Sequence, residues 1–316
     1  MMTVEILNHP LVNLIGWTLL HFLWQGAIVG VIVAALLAGL RRRSASVRYV
    51  VGIVGLAVMA VCPLITMATL PRAEVASLAV SDLPVTSSVE FDVVPTTEIV
   101  FDATAVELPE PVLVADGPEL EVSFSERVAN WTPWIAGVWF VGVALLSLRL
   151  LFSWFQVRRM GRAGISAVGD RVQSLFDDIS QRLALRRVVR VFESSLIAVP
   201  ATIGWLRPIV LLPATAITGL TDEQLTAVLA HELAHVRRHD YAVNLVQGVI
   251  ETLLFFHPAV WLLSSRIRTE REHCCDDEAV STTGKPTEYA RALTQLATIG
   301  AAPPLATAAT LSLIHI

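Results

Sequence analysis

The sequence predicts a mainly α membrane protein in which N-terminal transmembrane helices carry a mixed α+β domain. Two observations predict this. Hydrophobic residues fill 54% of the 316 positions and charged residues only 16%, against about a quarter charged in an ordinary soluble domain; the mean hydropathy is +0.62. The apolar residues also gather into long runs in the first half, whereas the second half alternates short β-prone stretches with helical periods.

A membrane span needs about 20 mostly apolar residues. Leu14 to Leu37, Tyr49 to Leu70 and Trp134 to Phe155 meet that requirement. No Lys or Arg precedes the first run, which is too long for a signal-peptide core, so it reads as a retained span. Arg41, Arg42, Arg43 and Arg48 lie between the first two spans, and Arg158, Arg159 and Arg162 follow the third. The positive-inside rule puts both clusters in the cytoplasm. The stretch from Ala73 to Glu126, with twelve Asp or Glu and no Lys or Arg, then falls outside, so two independent signals agree. The expected organisation is two transmembrane helices with a short cytoplasmic loop (1–70), an acidic and largely extended external loop (71–130), a third span (131–157), a cytoplasmic domain (158–290) and an Ala-rich tail (291–316). A fourth span is expected to begin in that tail, with the chain cut short inside it. His21 and Gln25, one turn apart in the first span, are expected to form an interhelix hydrogen bond.

Within 158–290, Gly169 to Leu185 has helical spacing, and Val188 to Phe192 and Ile209 to Leu212 read as strands. The second of these is either a plain structural strand or the edge on which an extended peptide would pair. Thr221 followed by Gln224 forms a capping box that starts a helix. A second helix follows Asp240, read as its N-cap with a role behind a metal ligand left open, and ends near Phe256. A third opens at Pro258 and runs through Arg266 to about Ser281. Residues 243–263 read as a hydrophobic helical hairpin, packed on the domain or dipping into the membrane. Net charge is −5, which speaks against direct nucleic-acid binding. Three cysteines, two of them the adjacent Cys274 and Cys275, make no disulfide framework.

The chemistry lies in His231-Glu232-Leu233-Ala234-His235. Residues i and i+4 of a helix share a face, so His231 and His235 can present two imidazoles to one Zn2+ ion. Glu232 is rotated by about 100°, which sets its carboxylate beside the ion, where it can take a proton from water as a general base. A catalytic zinc usually has three protein ligands and an open position. The third ligand is expected from Glu270 to Glu278 on the third helix. Glu272 can bind zinc while Asp276, one turn on, orients a histidine; Glu270, His273 and Cys275 are the alternatives.

The same residues carry a resemblance. Val191-Phe192-Glu193-Ser194, Gly204-Trp205-Leu206-Arg207-Pro208-Ile209-Val210-Leu211-Leu212-Pro213, His231 to Tyr241, Phe256-His257-Pro258-Ala259-Val260-Trp261, Arg271 to Asp277 and the N-terminal Leu20 to Gly26 resemble the membrane metallopeptidases of the beta-lactam sensor-transducer (BlaR/MecR) type. The resemblance implies a gluzincin-like α+β zinc protease domain on the cytoplasmic side, with His231, His235 and Glu272 as metal ligands and Glu232 as base. It also implies signalling, in which an external sensor activates the protease and a cytoplasmic transcriptional repressor is cleaved. No penicillin-binding sensor domain lies within these residues, so beta-lactam sensing is not carried over. The expectation is therefore a membrane-embedded zinc endopeptidase with a protein or peptide substrate and membrane lipid as its surroundings. The competing readings are a quality-control or processing metallopeptidase and a catalytically silent receptor; an intact Glu232 argues against the last.

Overall fold

The computed structural model describes residues 9–70, 128 and 131–300. Among the described residues three helices are long and apolar enough to cross a membrane: α1 (Pro10–Gly39), α2 (Ala45–Thr69) and α3 (Thr132–Met160). With 30 residues, α1 is about 45 Å long at 1.5 Å per residue, more than a hydrocarbon core of about 30 Å. Val31, Leu64, Val138 and Leu145 stand well exposed on these helices, a surface suited to lipid rather than water. The acidic loop expected over 71–130 falls, apart from Val128, outside the described residues.

The chain divides into two compact units, Met1–Trp17 with Thr69–Ala136 and Thr18–Ala68 with Gly137–Ile316. In the first, the Thr132 hydroxyl donates to Asn13 Oδ1 at 2.9 Å. The second holds all the elements that matter for the site.

In that unit α1 and α2 pack closely because Gly55 has no side chain where Val33 Cγ2 would meet one at 2.6 Å. The Gln25 amide donates to Thr66 Oγ1 at 3.0 Å, the interhelix bond expected of that residue, while His21 Nδ1 accepts from Trp24 Nε1 at 3.4 Å within α1. After α3 come β1 (Ile165–Ala167), α4 (Asp170–Arg182), β2 (Arg190–Ser194), β3 (Ala201–Ile203), β4 (Ile209–Pro213), α5 (Ala214–Gly219), α6 (Asp222–Arg238), α7 (Asp240–Leu253), α8 (Pro258–Thr283) and α9 (Pro286–Gly300). The strands form one sheet in the order β1-β2-β4-β3. β2 and β4 are parallel, with Arg190 opposite Ile209. β3 runs antiparallel to β4, with Thr202 opposite Val210. Ile209 to Leu212 is thus an inner strand, and the edge position belongs to β3. A three-residue strand shows no period in the sequence; its pairing with β4 across the Gly204 turn (φ +96) creates it.

The core of this domain is built from Phe176 and Ile179 of α4, Val191 of β2, Val210 and Leu212 of β4, Leu225, Leu229 and Leu233 of α6, and Ala292 of α9, all buried. The expected domain boundary at residue 290 falls inside α9, whose inner face belongs to this core; residues 301–316 lie outside the described residues. The capping box is present: Thr221 Oγ1 accepts from the Gln224 amide at 3.3 Å, and Gln224 Oε1 accepts from the Thr221 amide at 3.1 Å. At the other end of α6, His239 adopts the left-handed conformation (φ 61). It takes the N-cap place of α7 that the sequence assigned to Asp240. Asp240 becomes the first helical residue, and its carboxylate is free to turn back toward α6.

The α7–α8 hairpin packs along α1 and α2. Its tip is fixed by His257, whose Nδ1 accepts from the Ala259 amide at 3.2 Å while Nε2 donates to the Leu23 carbonyl at 3.0 Å. Gly26 makes room for that imidazole, since a side-chain carbon there would lie 2.8 Å from Nε2. Leu23 is roughly 24 Å along α1 from its Gly39 end at 1.5 Å per residue, so the hairpin reaches about half-way along the first span. Between its arms, Arg268 pairs with the buried Glu251 at 2.6 Å, and the Gln247 amide donates to the Ser264 carbonyl at 3.0 Å.

Candidate metal centre

The buried α6 carries His231, Glu232 and His235, and α8 crosses it so that Glu272 faces both rings. His231 Nε2 and His235 Nε2 lie 3.7 and 3.6 Å from Glu272 Oε2, and the three ligand atoms form one compact group. A tetrahedral ion with bonds of about 2.0–2.2 Å separates its ligand atoms by about 3.3–3.6 Å. The donor set of two imidazole nitrogens and one carboxylate oxygen therefore fits zinc, with little closure required.

Each imidazole is held from behind. His235 Nδ1 lies 2.9 Å from the buried Asp240 Oδ2. His231 Nδ1 lies 3.2 Å from Asp276 Oδ1 and 2.8 Å from the Tyr289 hydroxyl, which itself donates to Asp276 Oδ1 at 2.5 Å. These partners keep a ring proton on Nδ1, so that Nε2, facing Glu272, is the nitrogen whose lone pair becomes available to an ion once its own proton is displaced. Of the alternatives to Glu272, Glu270 is turned away and pairs with Arg48 at 2.8 Å and Arg266 at 2.7 Å, and His273 is exposed, its nearest partner being Asp276 at 3.9 Å. Cys275 lies nearer: its buried Sγ is 3.3 Å from His235 Nδ1 and 3.4 Å from Asp240 Oδ2. His235, Asp240 and Cys275 thus form a second compact group of ligand-type atoms, behind the ring rather than on its Nε2 side. Cys274 is buried on the other flank, 3.7 Å from Ser46 Oγ.

Glu232 is buried on the wall of a cleft of about 600 Å³ whose lining also includes Thr202, Trp205, His231, His235 and Glu272. The Thr202 hydroxyl lies 2.8 Å from Glu232 Oε2 and 3.1 Å from the Glu232 carbonyl oxygen, donating to one of them at a time. The edge strand thereby holds the carboxylate at the cleft. Tyr289 and Thr202 are the functional-site contacts that sequence spacing missed, whereas Asp240, read as a helix cap with a role behind a metal ligand left open, takes that role. Asp240 carried a signal, an acid five residues after the second histidine. Tyr289 and Thr202 carried none, because tertiary packing alone delivers them.

The electrostatics follow from this geometry. Burial opposes a charge on His231, but hydrogen bonds with Asp276 and Glu272 and the nearby Glu232 outweigh it and raise its pKa to about 9. For His235, burial is again outweighed, by Asp240, Cys275 and Glu272, and the pKa rises to about 12. Burial of Glu272 is overcome by the two histidines, which hold its carboxyl well below the usual range. Burial pushes the Cys275 thiol up to about 11, the contact with His235 offsetting part of it. Both rings are therefore protonated at pH 7 in the metal-free protein, and an incoming ion must displace those protons. The expected result is a release of close to two protons per zinc bound at pH 7 and an apparent zinc affinity that rises with pH, more steeply below about 9 than above it. Calorimetry in buffers of different ionisation enthalpy measures this; zinc binding without proton release at pH 7 would contradict it.

The comparisons with known proteins agree with this picture. A family model described as BlaR1 peptidase M56 matches residues 17–313. Regulatory protein BlaR1 of Bacillus licheniformis is 31% identical over 149 residues, which is 47% of this chain and 24% of that protein. The methicillin resistance mecR1 protein of Staphylococcus aureus (strain Mu50 / ATCC 700699) is 25% identical over 91 residues, 29% of this chain and 16% of that protein. The matches thus span about a quarter or less of the length of these curated relatives.

Proposed function

The chain belongs to the BlaR1 peptidase M56 family, and from that premise we propose that it is a membrane-embedded, zinc-dependent endopeptidase whose catalytic domain faces the cytoplasm. The observation that carries the reading is the convergence of His231 Nε2, His235 Nε2 and Glu272 Oε2 within 3.6–3.7 Å, beside a Glu232 that binds none of them. His231, His235 and Glu272 would hold the ion. When bound, zinc supplies a Lewis acid that polarises the scissile carbonyl and acidifies water.

The protein's own groups do the rest. Asp240 and the Asp276–Tyr289 pair fix the imidazoles in the tautomer that leaves Nε2 available. Glu232 takes a proton from the attacking water and hands it to the leaving amine, and Thr202 keeps its carboxylate aimed into the cleft. Among the described residues β3 is one of the two terminal strands, the one beside the cleft, which Ala201 and Thr202 line. An extended peptide laid along that edge gains main-chain hydrogen bonds and brings a peptide bond beside Glu232.

The basic residues that follow α1 and α3 support a cytoplasmic domain, and a protein such as a transcriptional repressor is the substrate in keeping with the regulatory name of the B. licheniformis relative. The test is cleavage of a repressor encoded beside this protein by the full chain in nanodiscs. Cleavage should stop on chelation and return when one equivalent of zinc is added. Cleavage that survives complete zinc removal would reject the reading. A reporter inserted at residue 114 should score as external; a cytoplasmic signal there would reverse the orientation.

A further inference from the structure

A second cavity, remote from the metal centre, lies on the outside of α1 where the start of α8 packs against it. It is a groove of about 670 Å³, within the roughly 300–1,000 Å³ of ligand-binding clefts. Its floor is made of small residues of α1, Ala27, Gly30 and Ala34, and of Ala259 on α8. Gly30 sits so close to α8 that a side-chain carbon there would meet Ala259 Cβ at 2.7 Å, which keeps the floor flat and the two helices in contact. Leu262, 73% exposed, forms the rim. From Ala27 to Arg41 the groove runs about 21 Å at 1.5 Å per residue, more than the depth of about 15 Å that one leaflet contributes to the hydrocarbon core. It is thus long enough for an acyl chain.

Two arginines, Arg41 and Arg266, close the groove at the end where α1 leaves the apolar span. Arg266 pairs with Glu270 Oε1 at 2.7 Å and is still 48% exposed; a guanidinium has five donors, so it can serve a second anion. The Glu270 carboxylate is shared with Arg48, whose Nη2 lies 2.8 Å from Oε2. Three guanidinium charges therefore stand against one carboxylate. The lining of the groove contains no Asp or Glu, so an excess of positive charge remains at headgroup level beside an apolar trough. We propose that this groove is a binding site for an anionic phospholipid, its acyl chain lying over Ala27, Gly30 and Ala34 and its headgroup phosphate held by Arg41 and Arg266. Basic pockets between membrane helices recognise anionic headgroups in this way.

The test is native mass spectrometry of the full chain in detergent, titrated with phosphatidylglycerol or with phosphatidylcholine of the same acyl chains. The wild type should show one saturable site preferring phosphatidylglycerol about thirtyfold, from two arginines at the headgroup. Arg41→Gln with Arg266→Gln should bring the preference close to parity. Arg41→Gln alone, which breaks no ion pair among the described residues, should remove about fivefold and guards against a folding defect in the double variant. Arg42→Gln with Arg43→Gln, off the groove, should retain the preference, and Ala34→Trp should exclude both lipids. Parity in the wild type, a preference that survives the double variant, or an equal loss in the Arg42/Arg43 control would overturn the proposal. So would an Ala34→Trp variant that binds lipid as before but changes the oligomeric mass, because the groove would then be covered by a second copy of the chain.

Discussion

Replacing Glu232 with Gln is expected to leave zinc at about one ion per chain and to cut proteolysis by roughly 10²–10⁴-fold, the usual contribution of a positioned general base. The separation of the two effects follows from the geometry. Glu232 is accompanied by Thr202 and is not among the three atoms that converge at the centre. Gln keeps the shape and still accepts from Thr202, so the fold and the cleft should survive. It cannot take a proton, so the water is not activated. Measuring zinc content and cleavage rate on the same preparation separates this from a structural defect. Loss of zinc with activity would mean that Glu232 contributes to metal binding, and undiminished cleavage would remove it from the mechanism.

Replacing Glu272 with Ala should instead strip the metal. It leaves two imidazoles, too few for a catalytic zinc that ordinarily has three protein ligands. It also removes an anion that both rings face at 3.6–3.7 Å. The expected result is a fall from about one zinc per chain to a small fraction after dialysis against a weak chelator, with activity lost in parallel. The fold should persist, because the Glu272 side chain is 47% exposed and the neighbouring Glu270 retains its own pairs with Arg48 and Arg266. Full zinc occupancy in Glu272→Ala would transfer the third place to another residue. Cys275 is the nearest candidate, since it already touches His235.

The spans were legible because hydropathy is a property of composition, and the helix of the metal centre was legible because its signals are local. Thr221 and Gln224 cap it within one turn, and two histidines four apart share a face whatever the rest of the fold does. Glu272 could be placed on a helix facing the first, but not singled out from Glu270 by spacing; only the crossing of α6 and α8 sends one carboxylate to the histidines and the other to Arg48. Asp240 was read as a cap because an acid after a helix break usually is one. The left-handed turn at His239 takes that place and swings Asp240 onto His235. Tyr289 lies on a segment that composition assigned to the end of the domain, and α9 brings it to His231 across 58 residues. The inner position of β4 was hidden for a similar reason, since β3 exists only through its pairing. The depth of the hairpin tip rests on His257 meeting Leu23, two residues 234 apart, and no local pattern encodes that contact.

Two groups of ligand-type atoms share His235: one with His231 and Glu272 on the Nε2 side, the other with Asp240 and Cys275 behind the ring. The zinc K-edge X-ray absorption fine structure of the zinc-loaded protein distinguishes them directly. An ion held by His231, His235 and Glu272 gives a first shell of nitrogen and oxygen at about 2.0–2.2 Å with no sulfur. A sulfur shell near 2.3 Å would place Cys275 on the metal and contradict that assignment.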